Sequence, residues 1–147
     1  MNIVSTRKNI LLPFLFLIAT TSFSQVRLPK IIQDSMILQR DAKIKVWGWA
    51  AKGEKVSISF HGKKYNIKAD ADGKWSVWLP AMKAGGPYTM DINASNKISL
   101  KDILIGDVWL CSGQSNMEYQ LGYDDATYAK EMEQVNYPQI RQFKVPT

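Results

Sequence analysis

The 147 residues include a single cysteine and a single histidine. With Cys111 alone an internal disulfide is impossible, so packing rather than cross-linking must hold the fold. With His61 alone, a histidine base for nucleophilic chemistry has one candidate, and His61 falls in a predicted β-hairpin, where a surface role fits it better. Long apolar runs are also lacking. The longest, Ile10 to Ala19, is interrupted by Pro13 and is too short to span a bilayer, which argues against a stable membrane anchor. No short repeat or low-complexity segment appears, and 46 % apolar with 22 % charged residues is the balance of a folded domain. The charge excess is modest. Removing residues 1–24 takes two basic and no acidic residues, so the net charge falls from +6 to +4. The lysines are spread singly apart from Lys63-Lys64, so a solvated surface accounts for them and no nucleic-acid partner is expected. Asp70-Ala71-Asp72-Gly73 lacks the further carboxylates and closing glutamate of a calcium loop and reads as a turn.

What is present begins with a leader. Arg7 and Lys8 precede the apolar run, and small residues at Ser22 and Ser24 follow it, the pattern of a secretory signal peptide cleaved before Gln25. No cysteine follows the run to take a lipid. Residues 1–24 are therefore expected to direct export, to the periplasm or the extracellular space.

From Leu28 to Ile105 the chain alternates with period two. Ile44 and Val46 alternate with lysines; Val56, Ile58 and Phe60 alternate with Ser57, Ser59 and His61. A turn at Gly62-Lys63-Lys64 leads to Tyr65, Ile67 and Ala69, and the Asp70–Gly73 turn leads to Trp75, Val77 and Leu79, stopped by Pro80. Tyr88, Met90 and Ile92 follow Ala84-Gly85-Gly86-Pro87, and Ile98 and Leu100 follow Ser95-Asn96. Some six short strands at this spacing predict an antiparallel β-sandwich over residues 25–105, long enough to bury a small core. Trp47, Trp49, Trp75 and Trp78 could stack on sugar rings or fill that core. Trp75 shares a face with Val77 and Leu79 and belongs inside. Trp78 lies on the opposite face and is the candidate substrate contact.

Val108-Trp109-Leu110-Cys111 reads as a strand buried on both faces, with an inert thiol, ending in the small polar run Ser112-Gly113-Gln114-Ser115-Asn116. Gly113 would permit a sharp turn that presents Ser115 at a sheet edge, where a hydroxyl could attack an acyl carbon and turn amides could hold the oxyanion. Spacing alone also fits a plain turn whose serine caps the next element. Met117 stands where an ordinary nucleophile elbow has its last glycine. Asp124-Asp125 followed by Ala126 to Val135 then reads as a helix with acidic residues in its first turn and Tyr128, Met132 and Val135 on one face, stopped by Asn136-Tyr137-Pro138; Ile140 to Val145 reads as a strand completing one β-α-β unit.

The run from Gly106 to Glu118, Gly-Asp-Val-Trp-Leu-Cys-Ser-Gly-Gln-Ser-Asn-Met-Glu, resembles the first sequence block of the sialate O-acetylesterase family, a branch of the SGNH (GDSL-like) hydrolases. Leu38-Gln39-Arg40, Val46-Trp47-Gly48-Trp49-Ala50, Ala71-Asp72-Gly73-Lys74-Trp75 and Ala84-Gly85-Gly86-Pro87-Tyr88 resemble its N-terminal region in the same order. The resemblance implies an N-terminal β-sandwich followed, over residues 106–147, by the start of an α/β hydrolase domain of the flavodoxin-like, three-layer SGNH type. It implies Ser115 as nucleophile and backbone oxyanion donor, in a turn formed by Gly113, Gln114 and Asn116. It implies an acetylated sialic acid or other O-acetylated glycan as substrate, and no metal or organic cofactor. The family's late D-x-x-H block and its middle-block glycine and asparagine donors have no counterpart in these residues. Asn116 adjoins the nucleophile and is not that asparagine. The expectation is therefore an N-terminal piece of an esterase, inactive by itself; a non-catalytic glycan-binding or docking module and an inactive truncated product are the alternatives.

Overall fold

A computed structural model describes residues 25–145 apart from 118, 121, 123 and 124. The expected signal peptide, and Asp124 at the expected helix start, lie outside the described residues. Seven strands come first: β1 Ile37–Gln39, β2 Ile44–Trp49, β3 Lys55–Phe60, β4 Lys63–Lys68, β5 Lys74–Leu79, β6 Gly85–Asn93 and β7 Lys97–Gly106. A 3-10 turn at Ser115–Met117 and one helix, α1, at Asp125–Gln134 follow.

The strands form a five-stranded sheet in the order β1-β7-β6-β3-β4 and a two-stranded sheet of β2 and β5. The alternation in the sequence explains how they meet. Val56, Ile58 and Phe60 of β3, Met90 and Ile92 of β6, and Ile103 and Ile105 of β7 turn to one side of the large sheet and are buried. Val46 of β2 and Trp75 and Leu79 of β5 are buried in the same cluster from the small sheet. Each fully buried side chain of this size contributes about 1.5–3 kcal/mol of apolar burial.

Two details depart from the expected antiparallel sandwich. β1 was not anticipated, and it pairs parallel with β7, Ile37 with Leu104 and Gln39 with Gly106, so the large sheet is mixed. The β3–β4 turn is His61-Gly62 rather than Gly62-Lys63-Lys64: Phe60 pairs with Lys63, and both turn residues have positive φ, 47° and 72°. That is the two-residue turn whose twist suits a hairpin, and glycine at its second position removes half of its steric cost. The Asp70 turn forms as expected. The Asp70 carboxylate accepts the backbone N–H groups of Asp72 (2.9 Å) and Lys74 (2.8 Å), which spends one carboxylate oxygen on the turn itself.

Beyond β7 the expectation fails in part. The helix is present, but residues 108–111 and 140–145 are not strands, so no β-α-β unit is formed. Trp109 is 84 % and Leu110 92 % exposed, and Cys111 is an exposed thiol rather than a buried one. A strand apolar on both faces is stable only between neighbouring strands and covering helices, and none of the described residues supplies them. Met132 of α1 and Val135 just beyond it are exposed.

Candidate functional site

The last residues of β7 carry the chain towards Ser115. Arg40 N–H donates to the Gly106 carbonyl at 2.8 Å, Val108 N–H to Gln39 Oε1 at 2.9 Å, and Arg40 Nε to Asp107 Oδ1 at 2.8 Å. The hydrogen bond and charge of Asp107, with that of Asp41, raise the Arg40 pKa further above its ordinary value. After the exposed run 108–111, the chain tightens into the 3-10 turn. Met117 N–H donates to the Gln114 carbonyl at 2.9 Å, and Met117 Cγ lies so close to Gly113 that a Cβ there would meet it at 2.9 Å.

Ser115 opens that turn and is exposed, with Gly113, Gln114 and Asn116 exposed around it. The first amides of such a turn have no acceptor within it and are the kind of donor an oxyanion would use. Among the described residues no histidine or carboxylate hydrogen-bonds to Ser115. His61 is in the β3–β4 turn, its ring edge-on to Tyr88 with centroids 5.1 Å apart. A serine hydroxyl without a base beside it is a weak nucleophile.

Trp78 is where the sequence put it, on the outer face of the small sheet and 58 % exposed. Its cross-strand partner Lys45 places Nζ 5.8 Å from the indole centroid, within cation–π range. Trp75, on the inner face, is 3 % exposed.

The contacts of Gln39 and Arg40 with residues 106–108 were not legible beforehand. Leu38-Gln39-Arg40 stands out in the sequence only as part of a family resemblance, and the partners are 66–69 positions away. The same holds for Arg141 near the chain's end. Its guanidinium donates to the Asp102 carbonyl and to Asp102 Oδ1 (2.9 Å), while Ser35 Oγ donates to Asp102 Oδ2 at 2.8 Å. These two donors, Ser35 first, hold the Asp102 carboxyl below the usual carboxylate range.

No protein-family model matches the chain. Among curated proteins, human sialate O-acetylesterase is 37 % identical over 105 residues, which is 63 % of this chain and 20 % of that protein. Mouse sialate O-acetylesterase is 30 % identical over 131 residues, 81 % of this chain and 24 % of that protein. A solved carbohydrate acetylesterase from Xanthomonas citri superposes with a TM-score of 0.78 at 42 % identity, covering 83 % of this chain and 28 % of that one. The chain belongs to the sialate O-acetylesterase family and matches the N-terminal portion of its members. It spans about a quarter or less of the length of the curated sialate O-acetylesterases it matches. Among the described residues, no helix is long and apolar enough to cross a membrane.

Proposed function

We propose that this chain is the opening of an exported carbohydrate O-acetylesterase, in which Ser115 is the nucleophile. The observation that carries the reading is the likeness, across most of the chain, to a carbohydrate acetylesterase and to sialate O-acetylesterases. Residues 1–24 would direct export, residues 25–105 form the sandwich, and residues 106–147 begin a hydrolase domain of the SGNH type. The exposed apolar side chains after β7, Val108, Trp109, Leu110, Ile140 and Val145, support that division, because a large apolar surface of this kind is normally covered.

In this reading Ser115 Oγ attacks the acetyl carbonyl carbon as a base takes its proton. The amides at the start of the 3-10 turn, that of Ser115 included, stabilise the oxyanion, and the sugar alcohol leaves with a proton returned by the base. Water then attacks the acetyl-serine and releases acetate. The base and its orienting acid must come from outside these residues, since His61 belongs to the sandwich hairpin. The substrate is an O-acetylated glycan, of which acetylated sialic acid is one. No metal or organic cofactor takes part in the proposed steps. Trp78, on the outer face of the sandwich, is the proposed glycan contact.

The test is acetate release from O-acetylated glycans by the protein as its host exports it, with and without Ser115→Ala. Loss of the nucleophile should cost several orders of magnitude in kcat. Near-normal release by the variant would refute the assignment. Saturable glycan binding that needs Trp78, in a protein that releases no acetate, would favour a docking module instead.

A further inference from the structure

We propose that Gln39, Arg40 and Asp107 form a joint that fixes the direction in which the Ser115 segment leaves the sandwich, which makes them positioning residues for the serine. The proposal rests on the esterase reading above. β1 and β7 run parallel, and Gln39 with Gly106 is their last backbone pair. Past it the pairing is prolonged by other means. The Arg40 amide takes the Gly106 carbonyl, and the Gln39 side chain supplies to Val108 N–H the acceptor that the end of β1 no longer can. The Arg40 guanidinium then closes on Asp107 at 2.8 Å.

This joint is itself braced. Arg40 also pairs with Asp41 at 3.4 Å, Asp41 N–H donates to the Met82 carbonyl at 2.8 Å, and Asp41 Oδ1 pairs with Lys83 Nζ at 2.7 Å. Contacts thus run without a gap from the connection between β5 and β6 to Asp107. The segment is tied a second time where it returns, Arg141 meeting Asp102 of β7 with its side chain only 18 % exposed.

Folding stability is a poor explanation for the joint. Arg40 and Asp107 are each about half exposed, and surface ion pairs of that kind add little to stability. What three convergent hydrogen bonds at a chain exit do supply is direction. Ser115 is seven residues past Val108, and a reacting group displaced by about 1 Å can lose on the order of 100-fold in rate.

The experiment compares Arg40→Ala, Asp107→Ala and the double variant in the protein as exported, with Ser115→Ala alongside. Each single variant should lower kcat for acetyl release by about 10- to 100-fold with KM little changed, because binding groups are untouched while the serine is misplaced. The double variant should be no worse than the worse single one, as expected of residues acting as one unit. The melting midpoint should barely move. In the 147-residue chain, Gln39→Ala should speed hydrogen exchange of the Val108 amide, a readout independent of turnover. Unchanged kcat in both single variants, losses that multiply in the double variant, or an unaltered Val108 exchange rate would overturn the joint. An inactive Ser115→Ala beside a normal Arg40→Ala would remove the joint alone. An active Ser115→Ala would remove the nucleophile and the joint's role together.

Discussion

Gly48 occupies a place in β2 where the fold leaves no room for a side chain, and Gly48→Ala measures how tightly the two sheets are closed. A Cβ at this position would overlap the Arg27 carbonyl and sit 2.8 Å from Trp75 Cζ2 and 3.1 Å from Cε2. Neither neighbour can yield easily. Trp75 is almost fully buried, and Arg27 is fixed by exchanging two backbone hydrogen bonds with Trp49, at 2.8 and 2.9 Å. Overpacking a core by one methyl costs about 1–3 kcal/mol. Displacing Arg27 would add about 1 kcal/mol for each of the two hydrogen bonds. The expected loss is therefore about 3–5 kcal/mol, a large part of the stability of a small domain. With a urea slope of about 1–3 kcal/mol/M, the midpoint followed by tryptophan fluorescence should fall by about 1 M or more. Gly62→Ala is the control. Gly62 has a positive φ but nothing within 4 Å of the added Cβ, so only the backbone cost of about 1–2 kcal/mol applies. A Gly48→Ala midpoint equal to wild type, or a larger loss for Gly62→Ala, would refute the packing argument.

Two further predictions concern groups outside the core. Glu54 joins two loops, accepting Ala51 N–H at 2.8 Å and Ser95 N–H at 2.7 Å. Burial pushes its carboxyl up, but the hydrogen bonds from Ser95 and Ala51 together hold it below the usual range. Because the folded pKa is depressed, its stabilisation is present above the unfolded value and disappears as pH falls through the folded one. Glu54→Gln should therefore lower the urea midpoint at neutral pH and flatten its decline in acid; an unchanged acid slope would contradict this. Cys111, exposed and free, should react with a maleimide in the native 147-residue chain as fast as a small thiol does. Protection until unfolding would show that the 108–111 run is covered after all.

Much of the sandwich could be read from the sequence because its signals are local. Val56, Ile58 and Phe60 alternate with serines, and Trp75 falls in phase with Leu79, so the buried face follows from period two alone. The serine-bearing turn was likewise marked by Gly113 and its small polar neighbours. β1 escaped because Ile37-Leu38-Gln39 is too short to show a period, and only its pairing with β7 makes it a strand. His61 looked like the end of a strand, yet it takes the left-handed turn position that a tight hairpin requires. The run Val108 to Cys111 misled for a related reason. An apolar string states that burial would be favourable, not that a partner surface is at hand. The Arg40–Asp107 and Arg141–Asp102 pairs lie 67 and 39 positions apart, beyond any pattern within a window of sequence.

The measurement that tests the central claim most directly is mass spectrometry of the exported protein, quenched rapidly after mixing with an acetylated substrate. An added acetyl group on the peptide that carries Ser115, absent from the Ser115→Ala variant, is the result the account predicts. Acetate release with no acetyl on that peptide, or an acetyl carried by another residue, would contradict it.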